Sequence, residues 1–194
     1  MAGKKTRSIS KLEFEQIIAT IKSGFTTIQG EKVRPNNRIA TALVLEANLG
    51  LRIGDIVKLR LSDIIYESDR YHLDIVEEKT GKKRTFTMPH EIYIYLQNYA
   101  LSMGIGLHQR LFSVSVRAIQ NHLQMACDSL GIVGVGSHSF RKFFAMSIYN
   151  ENDFNVELVR TLLQHSSVAV TQHYLSVEPR LVENALQKHI VLPA

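Results

Sequence analysis

The stretch from Ile39 to Leu49 is apolar nearly all round: Ile39, Ala42, Leu43, Leu45, Ala47 and Leu49 leave no polar face wide enough to meet water. Pro35 suits the first turn of this helix and Gly50 its end, so the spacing predicts a central, buried helix. An amphipathic helix precedes it, with Ser10 and Glu13 forming a capping box, Leu12, Ile17, Ile18 and Ile21 a stripe, and Gly24 the stop. Residues Phe25 to Arg34 are expected as a loop. After a short helix from Ile53 to Leu59 the period changes from helical to two, with Tyr71, Leu73, Ile75 and Glu77 on one side of an extended run. A second run, Arg84 to Met88, follows Thr80-Gly81-Lys82-Lys83, and with Ile64 to Tyr66 these predict a small antiparallel three-stranded sheet. Helices then follow from Pro89 to Leu101, after the cap Ser115 to Leu130, from Ser139 to Tyr149, from Asn155 to Leu163, and in shorter form from Ser167 to Tyr174. Pro179 begins a last amphipathic stretch through Leu181, Leu186 and Ile190. The fold class is α+β, a mostly helical domain with one small sheet. Residues 1–9 read as a flexible basic arm or an expression scar, and residues 10–194 as one domain without repeat or linker.

Composition narrows the classes. No window approaches about 18 consecutive apolar residues, and Lys4-Lys5-Thr6-Arg7 leads into polar sequence, which argues against a membrane span or a signal peptide. One cysteine, Cys127, suits a reducing compartment, and a cytoplasmic location is expected. With 23 Lys+Arg against 18 Asp+Glu, the net charge of +5 permits a polyanionic partner without requiring one. There is no HExxH, CxxC or GxxxxGK[ST] pattern, and the eight histidines are scattered, so neither a metal nor a cofactor is expected.

What stands out is a set of cations embedded in apolar helix text. Arg52 follows the helix-ending Gly50 and precedes Asp55 by three residues, so the acid can orient the guanidinium. His138 and Arg141, three apart, share one helix face. His165 closes Leu162-Leu163-Gln164-His165, and Tyr174 follows nine residues later. Singly, each has a plainer reading: a structural ion pair for Arg52, a cap or core hydrogen bond for a histidine, packing for a tyrosine, a wet hairpin for Lys79, Lys82, Lys83 and Arg84. Buried cations nevertheless need an anion where they converge.

Taken in order, these stretches resemble the tyrosine recombinases (phage integrases). Leu49-Gly50-Leu51-Arg52-Ile53-Gly54-Asp55 through Ile64 is similar to the first signature box of that family, and Glu78-Lys79-Thr80-Gly81-Lys82-Lys83-Arg84 to the hairpin that carries its lysine. His138-Ser139-Phe140-Arg141 resembles the His-x-x-Arg box, with phenylalanine where leucine is commoner. Leu162 to Tyr174 resembles the last box, with Gln164 where glycine commonly stands, a departure that concerns the helix turn more than the chemistry. The resemblance spans about Ser10 to Leu192. It implies the DNA breaking-rejoining fold and a catalytic set of Arg52, Lys79, His138, Arg141, His165 and Tyr174. Typical members add an N-terminal domain that clasps DNA, so the chain is expected to be either a fragment of a longer integrase or one of the short members, such as the fimbrial-switch invertases.

The implied reaction explains the residue types. Attack on a phosphodiester piles negative charge on the non-bridging oxygens, which the planar forks of Arg52 and Arg141 and a third donor, His165, can stabilise. Tyr174 is the expected nucleophile, forming a 3′-phosphotyrosine that conserves the bond energy for rejoining. His138 is the expected base, Lys79 the acid for the departing 5′-hydroxyl, and Asp55 an orienting group. The guanidinium groups stand where a nuclease would use Mg²⁺. DNA contact is expected from Lys58, Arg60, Lys82, Lys83, Arg84 and Lys142. Expected partners are double-stranded DNA, a homotetramer on synapsed sites that is a monomer when free, and a directionality or accessory DNA-bending protein. Two other functions fit less of the sequence: DNA relaxation of the type IB topoisomerase kind, and a non-catalytic DNA-binding regulatory module.

Overall fold

The computed structural model describes residues 6–76, 81, 83–175 and 187. The chain divides into two compact units, residues 1–144 and 145–194. The first begins with α1 (Lys11–Ser23), where Ser10 and Glu13 form the expected capping box. The next stretch is not wholly a loop. Phe25–Thr26 (β1) pairs antiparallel with Lys32–Val33 (β2), a two-stranded ribbon too short to show as an alternating pattern. Pro35 also lies outside the next helix: α2 (Asn37–Leu49) is capped by Asn36, whose side chain accepts the Ile39 N–H, and this cap puts the proline before the first turn.

Helix α2 occupies the centre of the unit, as its composition requires. Ile39, Ala40, Ala42, Leu43 and Leu45 are all buried, covered by Ile17 and Ile21 of α1 and by later helices. Each large side chain buried in this way contributes about 1.5–3 kcal/mol relative to exposure. A short α3 (Ile53–Ile56) and a 3-10 turn (Leu61–Asp63) lead to β3 (Ile64–Glu67), β4 (Arg70–Val76) and β5 (Lys83–Met88), an antiparallel sheet in the order β3-β4-β5. Ser68 and Asp69, with φ of 52° and 59°, make the two-residue turn between the first two strands. Leu73 is buried, with Tyr71 and Ile75 half-buried on the same face, as the period of two predicts. Residues 77–80 and 82, and with them Glu77, Lys79 and Lys82, lie outside the described residues, as does the stretch from Pro179 to Ile190 apart from residue 187. Helices α4 (His90–Ser102) and α5 (Val116–Ser129) complete the core of the unit, and Ser115 caps α5 by accepting the Ala118 N–H.

Of the arm expected at residues 1–9, residues 6–9 are described, and Arg7 and Ile9 among them are held against the first unit. The Arg7 N–H donates to the Gly134 carbonyl at 3.0 Å, its Nε to the Val133 carbonyl at 3.0 Å, and its guanidinium pairs with Glu13. Ile9 is buried. The ion pair holds the Glu13 carboxyl down at about 2. Basic composition alone does not separate a free arm from one whose arginine has carbonyl and carboxylate partners.

Helix α6 (Ser137–Glu151) contains the unit boundary between Phe144 and Ala145. In the second unit, α7 (Val156–Leu163) is capped by Asn155 and buries Val159 and Leu163, while α8 (Val168–Gln172) is capped by Ser167. Both caps match the expected starts. Among the described residues, no helix is long and apolar enough to cross a membrane.

Candidate active site

Within the first unit the site is built on the turn that ends α2. Gly50 takes the left-handed conformation, φ 57°, and its N–H donates to the Glu46 carbonyl at 3.1 Å. A side chain there would be strained, which is why glycine ends the helix. Leu51 is fully buried, and Arg52, extended at φ −73° and ψ 143°, starts α3 by offering its carbonyl to the N–H groups of Asp55 (2.9 Å) and Ile56 (3.0 Å). This leaves the Arg52 side chain half-buried at the head of a turn, with Asp55 buried beneath it in sequence.

Arg141 reaches this turn from α6. Among the described residues it is the largest fully buried side chain, and its Nη1 donates to the Gly50 carbonyl. Ninety-one residues separate the two, so a long-range contact fastens the second arginine to the turn that precedes Arg52. A fully buried guanidinium is costly, and a fixed acceptor on its inner edge holds the planar fork in one orientation. One turn before Gly50 stands Glu46, 1% exposed, accepting the Ile53 N–H. Burial pushes the Glu46 carboxyl well above the usual carboxylate range, opposed by the nearby Arg141 charge and the Ile53 N–H. Glu46 escaped the reading from sequence, although an acid in the middle of an apolar helix was a visible signal.

His138 lies in the first turn of α6, half-buried, three residues before Arg141. It lines a cavity of about 390 Å³ together with Gln120, Gln124, Asp128 and Ser137. Among the basic residues expected at DNA, Lys58, Arg60 and Lys83 are exposed. Lys142 differs: it is half-buried and commits one N–H donor to the Thr6 carbonyl. A smaller cavity of about 200 Å³ joins Lys58 and Asp55 to Asp63 and to Asp74, Ile75 and Val76 at the end of β4. Among the described residues no group of three or more His, Cys, Asp or Glu side chains could hold a metal ion.

The second unit brings His165 and Tyr174 together. Helix α7 ends at Gln164, left-handed at φ 52° and ψ 41°, the conformation for which glycine is the usual residue. The turn places His165 so that its N–H donates to the Arg160 carbonyl at 3.0 Å, while Arg160 Nη1 donates back to the His165 carbonyl at 3.1 Å. Glu157 grips the same guanidinium through Nε at 2.8 Å. The short α8 then reverses the chain, and the Tyr174 N–H bonds to the Thr171 carbonyl at 2.8 Å. The Tyr174 ring thereby comes to lie 4.6 Å from that of the buried His165, tilted by 48°. On the inner side, His165 Nδ1 is 3.0 Å from Thr171 Oγ1. Neither Arg160 nor Thr171 was expected from sequence. Their contribution depends on a helical turn that closes only when the loop after α7 is known.

The model of the phage integrase family matches residues 7–180. The probable integrase/recombinase YoeC of Bacillus subtilis (strain 168) is 28% identical over 151 residues, 74% of this chain and 80% of that protein. The tyrosine recombinase XerA of Pyrococcus furiosus is 25% identical over 192 residues, 92% of this chain and 65% of its own length. Against the tyrosine recombinase XerC of Caldanaerobacter subterraneus subsp. tengcongensis the chain spans 43% of the relative. Among solved structures, the post-cleavage complex of the site-specific recombinase XerH with palindromic difH substrate superimposes with a TM-score of 0.72 at 16% identity, over 96% of this chain and 54% of that one. The catalytic domain of bacteriophage HP1 integrase gives 0.63 at 18% identity, covering 95% of both chains. These likenesses establish the fold, and the match across residues 7–180 establishes the kinship: this chain belongs to the phage integrase family, as a tyrosine recombinase catalytic domain.

Proposed function

We propose that the chain cuts and rejoins DNA strands at a specific site through a covalent 3′-phosphotyrosine intermediate. The observation that carries this reading is the pairing of Tyr174 with His165, a phenol in ring contact with a buried imidazole at the end of a constrained turn. An unperturbed phenol, with a pKa of about 10, is ionised in about one molecule in a thousand at neutral pH, so it needs a base and a cationic field to attack phosphorus. His138 takes the proton of the Tyr174 hydroxyl, and the phenolate oxygen forms its bond to phosphorus as the bond to the 5′-oxygen breaks. Lys79 supplies a proton to that leaving oxygen. Arg52, Arg141 and His165 donate to the non-bridging oxygens, where the charge grows in the transition state. The fastening of Arg141 to Gly50 supports this role, because a preorganised donor stabilises growing charge without reorganising at the moment of reaction. Asp55 orients Arg52. The reverse sequence, with a 5′-hydroxyl from another strand as nucleophile, rejoins the backbone without ATP.

The substrate is double-stranded DNA, held through phosphate contacts from Lys58, Arg60 and Lys83 with the rest of the β4–β5 hairpin. Affinity should therefore fall steeply with salt. Recombination joins two sites, so the working assembly is a homotetramer on synapsed DNA, and integration, excision and inversion are the outcomes open to it. The test is a DNA duplex nicked near the scissile phosphate, which traps the covalent step. The native chain should give a protein–DNA adduct that survives denaturation, and Tyr174→Phe should give none while still shifting the DNA in a binding assay. An adduct formed by the phenylalanine variant, or relaxation of plasmid without a defined site, would overturn the reading.

A further inference from the structure

A histidine presents two different nitrogens, and which one carries the proton is set by what the other touches. In the second unit, Nδ1 of His165 lies 3.0 Å from the Thr171 hydroxyl oxygen, and that hydroxyl in turn reaches the Ser167 carbonyl at 3.4 Å. A carbonyl can only accept. The single hydroxyl proton therefore belongs on the side of Ser167, which leaves an oxygen lone pair facing the imidazole, and Nδ1 must supply the proton between them. Only this direction satisfies both contacts. Thr171 is fully buried and His165 is 7% exposed, so little solvent competes for either group. The carbonyl end of the chain is fixed as well, because Ser167 caps α8 and accepts the Thr171 N–H at 3.4 Å.

We infer that Thr171 is a positioning residue which, relaying to the Ser167 carbonyl, holds His165 in its Nδ1–H form and leaves Nε2 as the nitrogen on which a proton is gained or lost. The inference rests on the proposed role of His165 at the phosphodiester. It gives that role a definite atom: cationic His165 donates from Nε2, neutral His165 offers a lone pair there, and the ring need not turn over between the two. Arg160, whose guanidinium holds the His165 carbonyl, and Tyr174, whose ring packs on the imidazole, are titratable neighbours of His165 among the described residues of this unit. A free histidine side chain favours the opposite, Nε2–H, form. The threonine is thus required to impose the other tautomer, and its hydroxyl rather than its bulk does so.

The test uses the full chain labelled with ¹⁵N-histidine, with the His165 signals assigned by their loss in His165→Gln. Long-range proton–nitrogen correlation at about pH 8.5, where an ordinary imidazole is neutral, reads the tautomer directly. The native protein should show a protonated Nδ1 and an unprotonated Nε2. Thr171→Val, which removes the hydroxyl and nearly keeps the shape, should shift His165 toward Nε2–H, and Thr171→Ser should restore the native pattern. Adduct formation on the nicked duplex should fall by about 10–100-fold in the valine variant and recover in the serine variant. Should the valine variant not fold, the native spectrum alone decides: Nε2–H at His165 overturns the inference. So does a tautomer unchanged in a folded Thr171→Val. The two readings separate cleanly. Native adduct with Nε2–H at His165 sinks the tautomer assignment and leaves the recombinase reading standing, whereas Nδ1–H without any native adduct does the reverse.

Discussion

Replacing Glu46 by glutamine should make the protein more stable, and increasingly so as the pH rises. The carboxyl is 1% exposed, it accepts one hydrogen bond from the Ile53 N–H, and its Oε2 has no hydrogen-bond partner. Burial dominates over the Arg141 charge and raises the folded value well above the ordinary 4.5. Folding therefore binds a proton wherever the unfolded chain has already released it. The stability associated with this carboxyl is complete below the unfolded value and is lost as the pH climbs toward the folded one. One proton corresponds to a slope of about 1.4 kcal/mol per pH unit, which sets the largest rate of loss. Glutamine cannot ionise, keeps a carbonyl for Ile53, and changes the volume little. Urea unfolding of both proteins from about pH 4.5 to 8 should give curves that converge at the acid end and diverge by up to about 1.4 kcal/mol per unit above it. A constant offset would show that Glu46 does not titrate differently on folding. A variant that loses ground as the pH rises would show instead an ionised Glu46 paired with Arg141, and the reasoning would fail.

Two further outcomes follow from local geometry. Gln164 ends α7 at φ 52°, so Gln164→Gly should relieve a left-handed side chain and raise stability by about 1 kcal/mol, read as a higher urea midpoint; a lower midpoint would show that the glutamine side chain outweighs the strain. Cys127 is fully buried in α5 and its thiol is pushed up to about 12, chiefly by burial, so at pH 8 only about one molecule in ten thousand is thiolate. Iodoacetamide should leave the native thiol untouched and modify it in urea, and brisk labelling of the native protein would contradict that environment.

Much of the fold was legible because it is local. Ser10 with Glu13, Ser115, Asn155 and Ser167 each cap the helix that follows them, since a cap is a contact over three residues and needs nothing from the rest of the chain. The alternation of Tyr71, Leu73 and Ile75 announced a half-buried strand by the same logic of period. The β1–β2 ribbon was not legible, because two-residue strands carry no period. Nor was the docking of Arg7, whose partners lie at Val133 and Gly134.

The site divides along the same line. The residue types and order of the proposed catalytic set, Arg52, Lys79, His138, Arg141, His165 and Tyr174, come from short stretches that resemble the family's boxes, and they suit phosphoryl chemistry. What the tertiary structure decided is the support behind them. Arg141 finds its acceptor in the Gly50 carbonyl, Glu46 stands buried near that guanidinium, and Thr171 meets His165 across a turn whose closure depends on a left-handed Gln164. A side chain's type is written in one position. Its protonation and orientation depend on burial and on partners that only the folded chain supplies.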